Sequence, residues 1–344
     1  MKPNSVIMVV ARYPATAGHT NVINNLCHGL NKLGYNAAIG AFSFDSNPPF
    51  NIEKVKLSKM KLLTSGVSYL NYDIIHPHQS RVLYYLVSVK PTKPVVLHYH
   101  GASDKIQEKN FKLAMRLYKN RITKIISVSK AGITQMNNMV NGLSADVVYN
   151  GVNTEFFKPG LPQQYKKGKP ELLFVSALRR YKKSIMLVNA LPSLLKKYPN
   201  AHLQIVGDGE DYKKLEEIIL EKNLENKVEL TGRIKDDELK LRYSSCDLYI
   251  SASTFEVCPV PTLEAMACGK PLVLYSIQPH DEVIENSKAG LTFNSMKPEE
   301  ICKKIIQAYK NKNQFSEAAL SYSKNLDWKK ICNQISHIYQ KVCS

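Results

Sequence analysis

The segment SASTFEVCPVPTLEAMACGKP, residues 251–271, combines the end of an apolar strand, a loop and a short helix. Prolines near the start and a Gly-Lys-Pro end are typical of a complete helix. Glu256 stands just before this helix and Glu264 within it. Because the N–H groups at a helix start attract anions, the backbone around Cys258 and Val260 is predicted to bind a pyrophosphate. The two carboxylates would then accept hydroxyls of a sugar and of a ribose, although most single glutamates are merely solvated.

Short apolar runs rich in β-branched residues recur on both sides of this segment, with helical patterns between most of them. This alternation is typical of parallel sheets with right-handed crossovers, and the polar connector Gln163–Pro170 divides it into two similar halves. The sequence therefore predicts an α/β protein of two Rossmann-like doubly wound domains, residues 1–162 and residues 163–326. The predicted strands are Ser5–Ala11, Asn36–Phe42, Asp73–His76, Pro94–Tyr99, Lys124–Val128, Ala145–Tyr149, Glu171–Ser176, Ala201–Gly207, Lys227–Leu230, Asp247–Ser251 and Pro271–Tyr275.

Composition excludes several classes of protein. A chain of 344 residues with 44% hydrophobic and 22% charged residues is neither disordered nor a small disulfide scaffold. Seven cysteines without finger-like spacing predict neither a disulfide framework nor a structural zinc, which favours a reducing cytoplasm. No apolar run is long enough to span a membrane, so we expect a soluble, unprocessed protein.

The net charge of +18 favours an anionic partner: nucleic acid, an anionic bilayer or a phosphorylated substrate. The excess is concentrated in residues 1–160, with a net charge of +12, against +6 in the remainder. Between Lys105 and Lys124 the sequence is basic, and Phe111 and Met115 mark one apolar helical face. Such a helix can lie on an anionic membrane, or its apolar face can pack on the sheet and leave the lysines solvated.

The pattern E-x7-E formed by Glu256 and Glu264, followed by Ala-Met-Ala-Cys-Gly-Lys-Pro-Leu-Val, resembles retaining glycosyltransferases of the GT-B fold in glycosyltransferase family 4. That resemblance implies two Rossmann-like domains facing each other across a cleft, with a helix at about 327–344 packing back on the first domain. It implies that Glu256 contacts the donor sugar and Glu264 the nucleotide ribose. Backbone at Cys258 and Val260 would then face the diphosphate.

Other sequence motifs that resemble those of the family occur in this chain in the same order. By resemblance, Gly18 in the loop Thr16-Ala17-Gly18 lets the backbone approach the diphosphate, and His100 in the sequence His-Tyr-His-Gly meets the donor sugar. Arg233 and Ile234 would contact the nucleotide base, and Glu282 stands where the family has a glutamate on the donor side. His76 and His78, in the pattern D-x-x-H-x-H, are interpreted as structural or acceptor-side residues.

The basic loop after Phe174 occupies the place of the family's G-R-L…K-G segment, whose Arg and Lys neutralise the departing diphosphate. Here the arginine position is Ala177 and the final glycine is Ser184. We predict that Lys183 keeps the lysine role and that Arg180, or its neighbour Arg179, replaces the missing guanidinium. Such a loop can also be only a solvated surface. With the basic loop neutralising the diphosphate, and no D-x-D pattern, no metal and no cofactor are predicted.

The resemblance implies a hexose or N-acetylhexosamine transferred with retention from a nucleotide-diphosphate sugar to a hydroxyl acceptor. The acceptor is expected to be lipid-linked or a cell-envelope glycan, and the protein cytoplasmic, peripheral on the inner face of the membrane. Alternatives are a sugar-nucleotide epimerase or phosphorylase of the same fold, an inactive transferase, and a non-catalytic nucleic-acid-binding protein. No nucleic-acid partner is predicted, because the chain lacks an aromatic–basic ladder and helix-turn-helix or finger patterns.

Overall fold

A computed structural model describes residues 3–15 and 18–344 and divides the chain into two compact units. Unit 1 contains the residues up to Gly151 together with Trp328–Ser344, and unit 2 is Val152–Asp327. The division falls at Gly151, whereas the sequence placed it at residue 162. Each unit is built of parallel strands flanked by helices, which confirms the predicted pair of Rossmann-like domains.

Unit 1 contains two parallel sheets, ordered β3-β2-β1-β4 and β5-β6-β7, which a single parallel bridge between Ile75 and Val95 connects. Sequential strands are therefore mostly spatial neighbours, as expected of crossover connections. The strands are β1 Ser5–Tyr13, β2 Asn36–Phe44, β3 Lys54–Lys56, β4 Ile74–Pro77, β5 Val96–Tyr99, β6 Lys124–Ser127 and β7 Asp146–Val147. The helices are α1 His19–Lys32, α2 Lys59–Ser65, α3 Leu83–Leu86, α4 Lys105–Tyr118, α5 Lys130–Met139 and α13 Trp328–Cys343.

Helix α13 completes the core of unit 1. Its buried side chains Ile331, Ile335 and Tyr339 pack with residues of α1 and of the strands β1, β4 and β5. Hydrophobic burial of this kind contributes about 25 cal/mol for each Å² of apolar surface removed from water. Unit 1 is thus built from two stretches of chain that are far apart in sequence.

Unit 2 contains one six-stranded parallel sheet in the order β10-β9-β8-β11-β12-β13. This order reverses direction between β8 and β11, and the carboxyl ends of the strands on either side of such a switch form a crevice that binds ligands. The strands are β8 Glu171–Val175, β9 His202–Val206, β10 Val228–Gly232, β11 Leu248–Ser251, β12 Leu272–Tyr275 and β13 Gly290–Phe293. The helices are α6 Ser184–Leu195, α7 Tyr212–Glu221, α8 Asp236–Ser245, α9 Val260–Ala267, α10 Gln278–Ser287, α11 Pro298–Lys310 and α12 Lys312–Ser323.

Gly207 follows β9 where the backbone comes very close to the end of β8. Its φ is +131°, and a Cβ there would lie 1.8 Å from the carbonyl oxygen of Ser176. The two segments are also joined by a hydrogen bond of 3.0 Å from the Ser176 N–H to the Val206 carbonyl. Only glycine fits this conformation at this distance from a neighbouring backbone.

Within the described residues, no helix combines the length and the apolar character that crossing a bilayer requires.

Candidate functional site

The site in unit 2 begins with two loops at the switch point of its sheet. One loop follows β8 and the other follows β11, so both leave the carboxyl edge between neighbouring strands. Thr254 donates to the Tyr181 carbonyl from its backbone N–H, at 2.8 Å, and from its hydroxyl, at 3.0 Å. The rings of Tyr181 and Phe255 meet edge to face beside these bonds. The loops are therefore held together before any ligand binds.

Lys182 and Glu256 form an ion pair across these two loops. The Lys182 Nζ lies 2.5 Å from the Glu256 Oε1, and the two side chains are only 14% and 16% exposed. A cation and an anion are thus presented together at the crevice. Screening by water is weaker for such a pair than for one on the surface.

The two residues predicted in the basic loop, Lys183 and Arg180, are both at the surface. Lys183 is exposed and has a φ of +52°, the left-handed conformation that glycine favours. The left-handed conformation that suits a glycine is therefore found at Lys183, whereas the sequence placed the final glycine of the family segment at Ser184. Arg180 is also exposed, with its Nε 3.9 Å from a carboxylate oxygen of Glu210.

Glu264 lies on α9 and is half-buried. The hydroxyl of the fully buried Tyr243 donates to its Oε2 at 2.9 Å. Burial raises the pKa of Glu264 to about 7, and the hydrogen bond from Tyr243 opposes that rise. A carboxylate held in this way can accept two hydroxyls from one ligand once it is ionised.

The start of α9 supplies the backbone of the predicted anion pocket. The helix begins at Val260, after Cys258 and Pro259, with a second proline at its next position. Since proline has no N–H, these prolines remove two donors from the first turn. Cys258 and Val260, the two positions that the sequence predicted, keep their backbone N–H groups.

Three other predicted donor residues of unit 2 lie on two different elements. Arg233 and Ile234 follow β10 and line a cavity of about 770 Å³, together with Thr231 and Glu238. Glu282 is buried on α10. The roles of these three residues toward the donor stay predictions.

Two of the predicted residues of unit 1, His78 and His100, line a cavity of about 290 Å³. His100 follows β5 and lines this cavity with His19, at the start of α1; the centroids of their rings are 4.7 Å apart. Gly18 caps α1 with a φ of −63° and has open space around its Cβ position, so the fold itself does not require glycine there. Thr16 and Ala17 of the same loop lie outside the described residues.

Comparison with known protein families identifies the family of this chain. The sequence matches Glycosyltransferase Family 4 over residues 16–156 and Glycosyl transferases group 1 over residues 157–325. The chain belongs to the GT-B glycosyltransferases of family 4. The predicted recognition from the E-x7-E pattern is thereby confirmed.

Individual relatives of this glycosyltransferase extend the comparison. Glycosyltransferase MJ1178 of Methanocaldococcus jannaschii is 26% identical over 361 aligned positions and covers 98% of each chain. The alpha-monoglucosyldiacylglycerol synthase of Acholeplasma laidlawii is 31% identical over 139 positions, 40% of this chain and 34% of that protein. The crystal structure of Anabaena Alr3699/HepE in complex with UDP-glucose superimposes with a TM-score of 0.80 at 20% identity, covering 98% of this chain and 99% of that one.

The sequence interpretation missed two features of the glycosyltransferase. Adjacent lysines look alike in a sequence, and the structure distinguishes them, because Lys183 is exposed with a left-handed backbone and Lys182 is paired with Glu256. The second feature is a cluster of histidines at the ends of β4 and β5. Its signal is a pair of H-x-H patterns, which put alternate side chains on one face of each strand.

Glu264 gives a prediction about stability and pH. Its pKa in the folded protein, about 7, is above its ordinary value of 4.5, so the unfolded chain ionises first as the pH rises. We expect the free energy of unfolding to fall by on the order of 2 kcal/mol between pH 4.5 and pH 7 through this group, and to level off about one pH unit above the folded-state pKa. In E264Q this contribution should vanish.

Urea unfolding of unit 2, measured at pH 5 and pH 8, tests this expectation. The matched control is E285Q, which changes an exposed glutamate in the same unit. Equal pH dependence in the parent protein and E264Q would contradict the assignment.

Proposed function

We propose that the protein transfers a sugar from a nucleotide-diphosphate sugar, with UDP-glucose the first donor to test, to a hydroxyl acceptor, and that it retains the anomeric configuration. The observation that carries this proposal is the ion pair of Lys182 and Glu256 at the switch point of unit 2, beside the start of α9. The UDP-glucose complex of Alr3699/HepE supports the choice of donor.

The ion pair suggests how a donor would be used. Lys182 is the half-buried cation of the loop, so it would meet the diphosphate and stabilise the negative charge that grows there as the sugar departs. Glu256 would exchange its ammonium partner for hydroxyls of the sugar, while Glu264 takes those of the ribose. Each side chain keeps the other in place until the donor arrives.

Retention and independence of metal are parts of the same proposal. In a front-face displacement the leaving phosphate itself helps to deprotonate the acceptor hydroxyl, so no protein carboxylate has to act as the nucleophile. The cation that a diphosphate needs would come from Lys182, with Arg180 close by in the same loop.

For the acceptor we propose a lipid-linked glycan or glycolipid presented at an anionic membrane. Phe111 and Met115, the apolar face that the sequence marked on α4, are buried in the core. A different apolar set, Ile106, Leu113 and Leu117, is exposed on this helix by 74%, 44% and 56%. Lysines and Arg116 lie between them, a combination that favours an anionic surface. The lipid product named for the Acholeplasma relative supports this choice.

Donor binding is tested by a thermal-shift screen with UDP-, GDP- and ADP-sugars. A ligand at 100 times its Kd stabilises the folded protein by about 2.7 kcal/mol, so the selected donor should raise the Tm by several degrees. E264A should lose this shift, and E285A, which removes an exposed carboxylate of the same unit, should keep it. No shift with any sugar nucleotide, together with tight salt-sensitive binding of DNA or RNA by both forms, would instead support the nucleic-acid alternative.

Product analysis tests the reaction. With the selected donor and anionic vesicles that contain glycolipid acceptors, we expect an α-linked product from an α-linked donor, formed equally in the presence of EDTA. Formation of an isomeric sugar nucleotide from donor alone would identify an epimerase. An inverted product, or loss of turnover in EDTA, would contradict the retaining or metal-independent part of the proposal.

A further inference from the structure

A second cavity of unit 1 lies at the carboxyl ends of β1 and β2, the edge at which parallel α/β sheets bind their ligands. Its volume is about 690 Å³, which is within the usual range for a small-molecule site. None of the residues assigned so far to the donor lines this cavity. The lining residues are Ala11, Phe42, Ser43, Leu57, Lys59, Arg81, Tyr84, Tyr85 and Asn110.

The charge of this lining is entirely positive. Lys59 and Arg81 are both exposed, and no lining residue is acidic. Among residues 3–15 and 18–344, neither cation forms an ion pair with a carboxylate. Two cations without a counter-ion in the protein favour a negatively charged ligand.

Lys59 is held against an aromatic wall. Its Nζ lies 5.5 Å from the ring centroid of Phe42 and 5.5 Å from that of Tyr85, and the two rings meet edge to face with centroids 5.1 Å apart. Such cation–π contacts fix the position of the ammonium group. Since the faces of a sugar ring carry C–H groups that pack on aromatic surfaces, a sugar with a negative group can contact both the rings and the ammonium.

Arg81 is oriented by a hydrogen bond on one side of its guanidinium. The Oε1 of Gln79 accepts from the Arg81 Nε at 3.2 Å and from the backbone N–H of Ala11 at 3.1 Å. The guanidinium is thereby connected to β1, and its two terminal nitrogens are left for a ligand. Their planar arrangement suits a phosphate or a carboxylate.

The amount of charge distinguishes between these two groups. A carboxylate carries one negative charge, whereas a phosphate monoester carries about 1.5 to 2 at pH 7. Lys59 and Arg81 together match the phosphate. The hydroxyls of Ser43 and Tyr85 have no hydrogen-bond partner among the described residues, so they can bind the hydroxyls of an attached sugar.

The position of this cavity connects it with the predicted donor side of unit 1. Arg81 and Asn110 also line the cavity that contains His100, the residue that the sequence resemblance assigns to the donor sugar. A ligand anchored at Arg81 can therefore extend toward His100. This is the position expected of an acceptor.

We propose that the cavity binds the acceptor through a phosphorylated sugar, with Lys59 and Arg81 on the phosphoryl group and the rings of Phe42 and Tyr85 against the sugar. The inference rests on the proposed transfer to a hydroxyl acceptor. It narrows that acceptor to glycans that carry a phosphoryl group.

The test is a calorimetric titration of the full chain, without donor, with glucose 6-phosphate, glucuronate, glucose and inorganic phosphate. Glucose 6-phosphate should bind roughly 10-fold more tightly than the other three, because only it offers both the dianion and the ring. K59Q and R81Q should each weaken its binding about 10-fold, since each removes a charged hydrogen-bond donor. The matched control K61Q removes an exposed lysine of the same helix that does not line the cavity, and should bind as the parent does.

Several results would overturn the proposal. Equal binding by the parent, K59Q and R81Q would do so, and circular dichroism establishes that each variant is folded. Glucuronate bound as tightly as glucose 6-phosphate would exclude the choice of a phosphoryl group, and inorganic phosphate bound as tightly would exclude the sugar. Loss of glucose 6-phosphate binding in K182A would place the phosphate in the basic loop of unit 2.

Vesicles distinguish a phosphorylated sugar from a lipid headgroup. Loss of binding to phosphatidylglycerol vesicles in R81Q, with unchanged binding of glucose 6-phosphate, would assign the two cations to the membrane and overturn the proposal. In turnover, R81Q should raise the KM for a phosphorylated glycolipid acceptor about 10-fold and leave the KM for the donor unchanged. Since the titration needs neither donor nor turnover, its outcome is separate from that of the proposed transfer.

Discussion

Replacing Lys182 with alanine should lower kcat/KM for sugar transfer by roughly 100- to 1,000-fold, the usual effect of removing a group that stabilises transition-state charge. K183A should lose less than a factor of about 10, because its side chain is exposed and the residue serves as a left-handed cap before α6. The two variants remove the same charge at adjacent positions. Comparing them therefore shows whether turnover depends on one ammonium group at a defined position or only on the total positive charge of the loop.

Steady-state kinetics with the donor selected by thermal shift provide the measurement. K183G is a useful further variant, since glycine suits a φ of +52° and should preserve both stability and turnover. If K183A is the inactive variant and K182A turns over normally, the proposal that Lys182 and not Lys183 neutralises the diphosphate is wrong. If both are fully active, the basic loop does not neutralise the diphosphate.

Gly207→Ala should destabilise unit 2 by about 4 kcal/mol, among the largest effects of a single small substitution. The added methyl group would lie 1.8 Å from the carbonyl oxygen of Ser176, and that oxygen belongs to backbone at the end of a central strand. A φ of +131° adds strain that an L-residue rarely accepts. Both segments would have to separate at the point where the loop carrying Lys182 begins.

Denaturant unfolding measures this loss, with G160A as the control. Gly160 also has a positive φ, +80°, but its Cβ position is open, so only the local conformational cost of about 1 kcal/mol is expected. Similar losses of stability in G207A and G160A would show that the backbone near Ser176 moves enough to accommodate the added methyl group.

The fold was predictable because strands and helices alternate with clear apolar patterns, and E-x7-E marks the donor domain. Glu256 and Glu264 were predicted from this spacing, and their roles toward the donor stay predictions. The lysine assignment required backbone conformation, because neither Lys182 nor Lys183 has a distinguishing neighbour in sequence. The histidine cluster required knowledge that β4 and β5 are adjacent, since His76 and His98 are separated in sequence by α3 and the loops around it.

The apolar face of α4 illustrates a different difficulty. A helical pattern shows that one face is apolar but not what covers it, and Phe111 and Met115 pack into the protein. The exposed set of Ile106, Leu113 and Leu117 falls outside that stripe. Tertiary packing, which periodicity does not specify, covers the face marked by Phe111 and Met115, and contact of α4 with a membrane stays a proposal that rests on the other side chains.

The position of α13 has a consequence for synthesis on the ribosome. Unit 2 is translated as one uninterrupted stretch, Val152–Asp327, and can complete its core as soon as it has emerged. The earlier residues of unit 1 must wait, because Ile331, Ile335 and Tyr339 are translated only after the whole of unit 2. During that interval a hydrophobic surface on α1 stays uncovered, which makes the nascent first unit a natural client for chaperones.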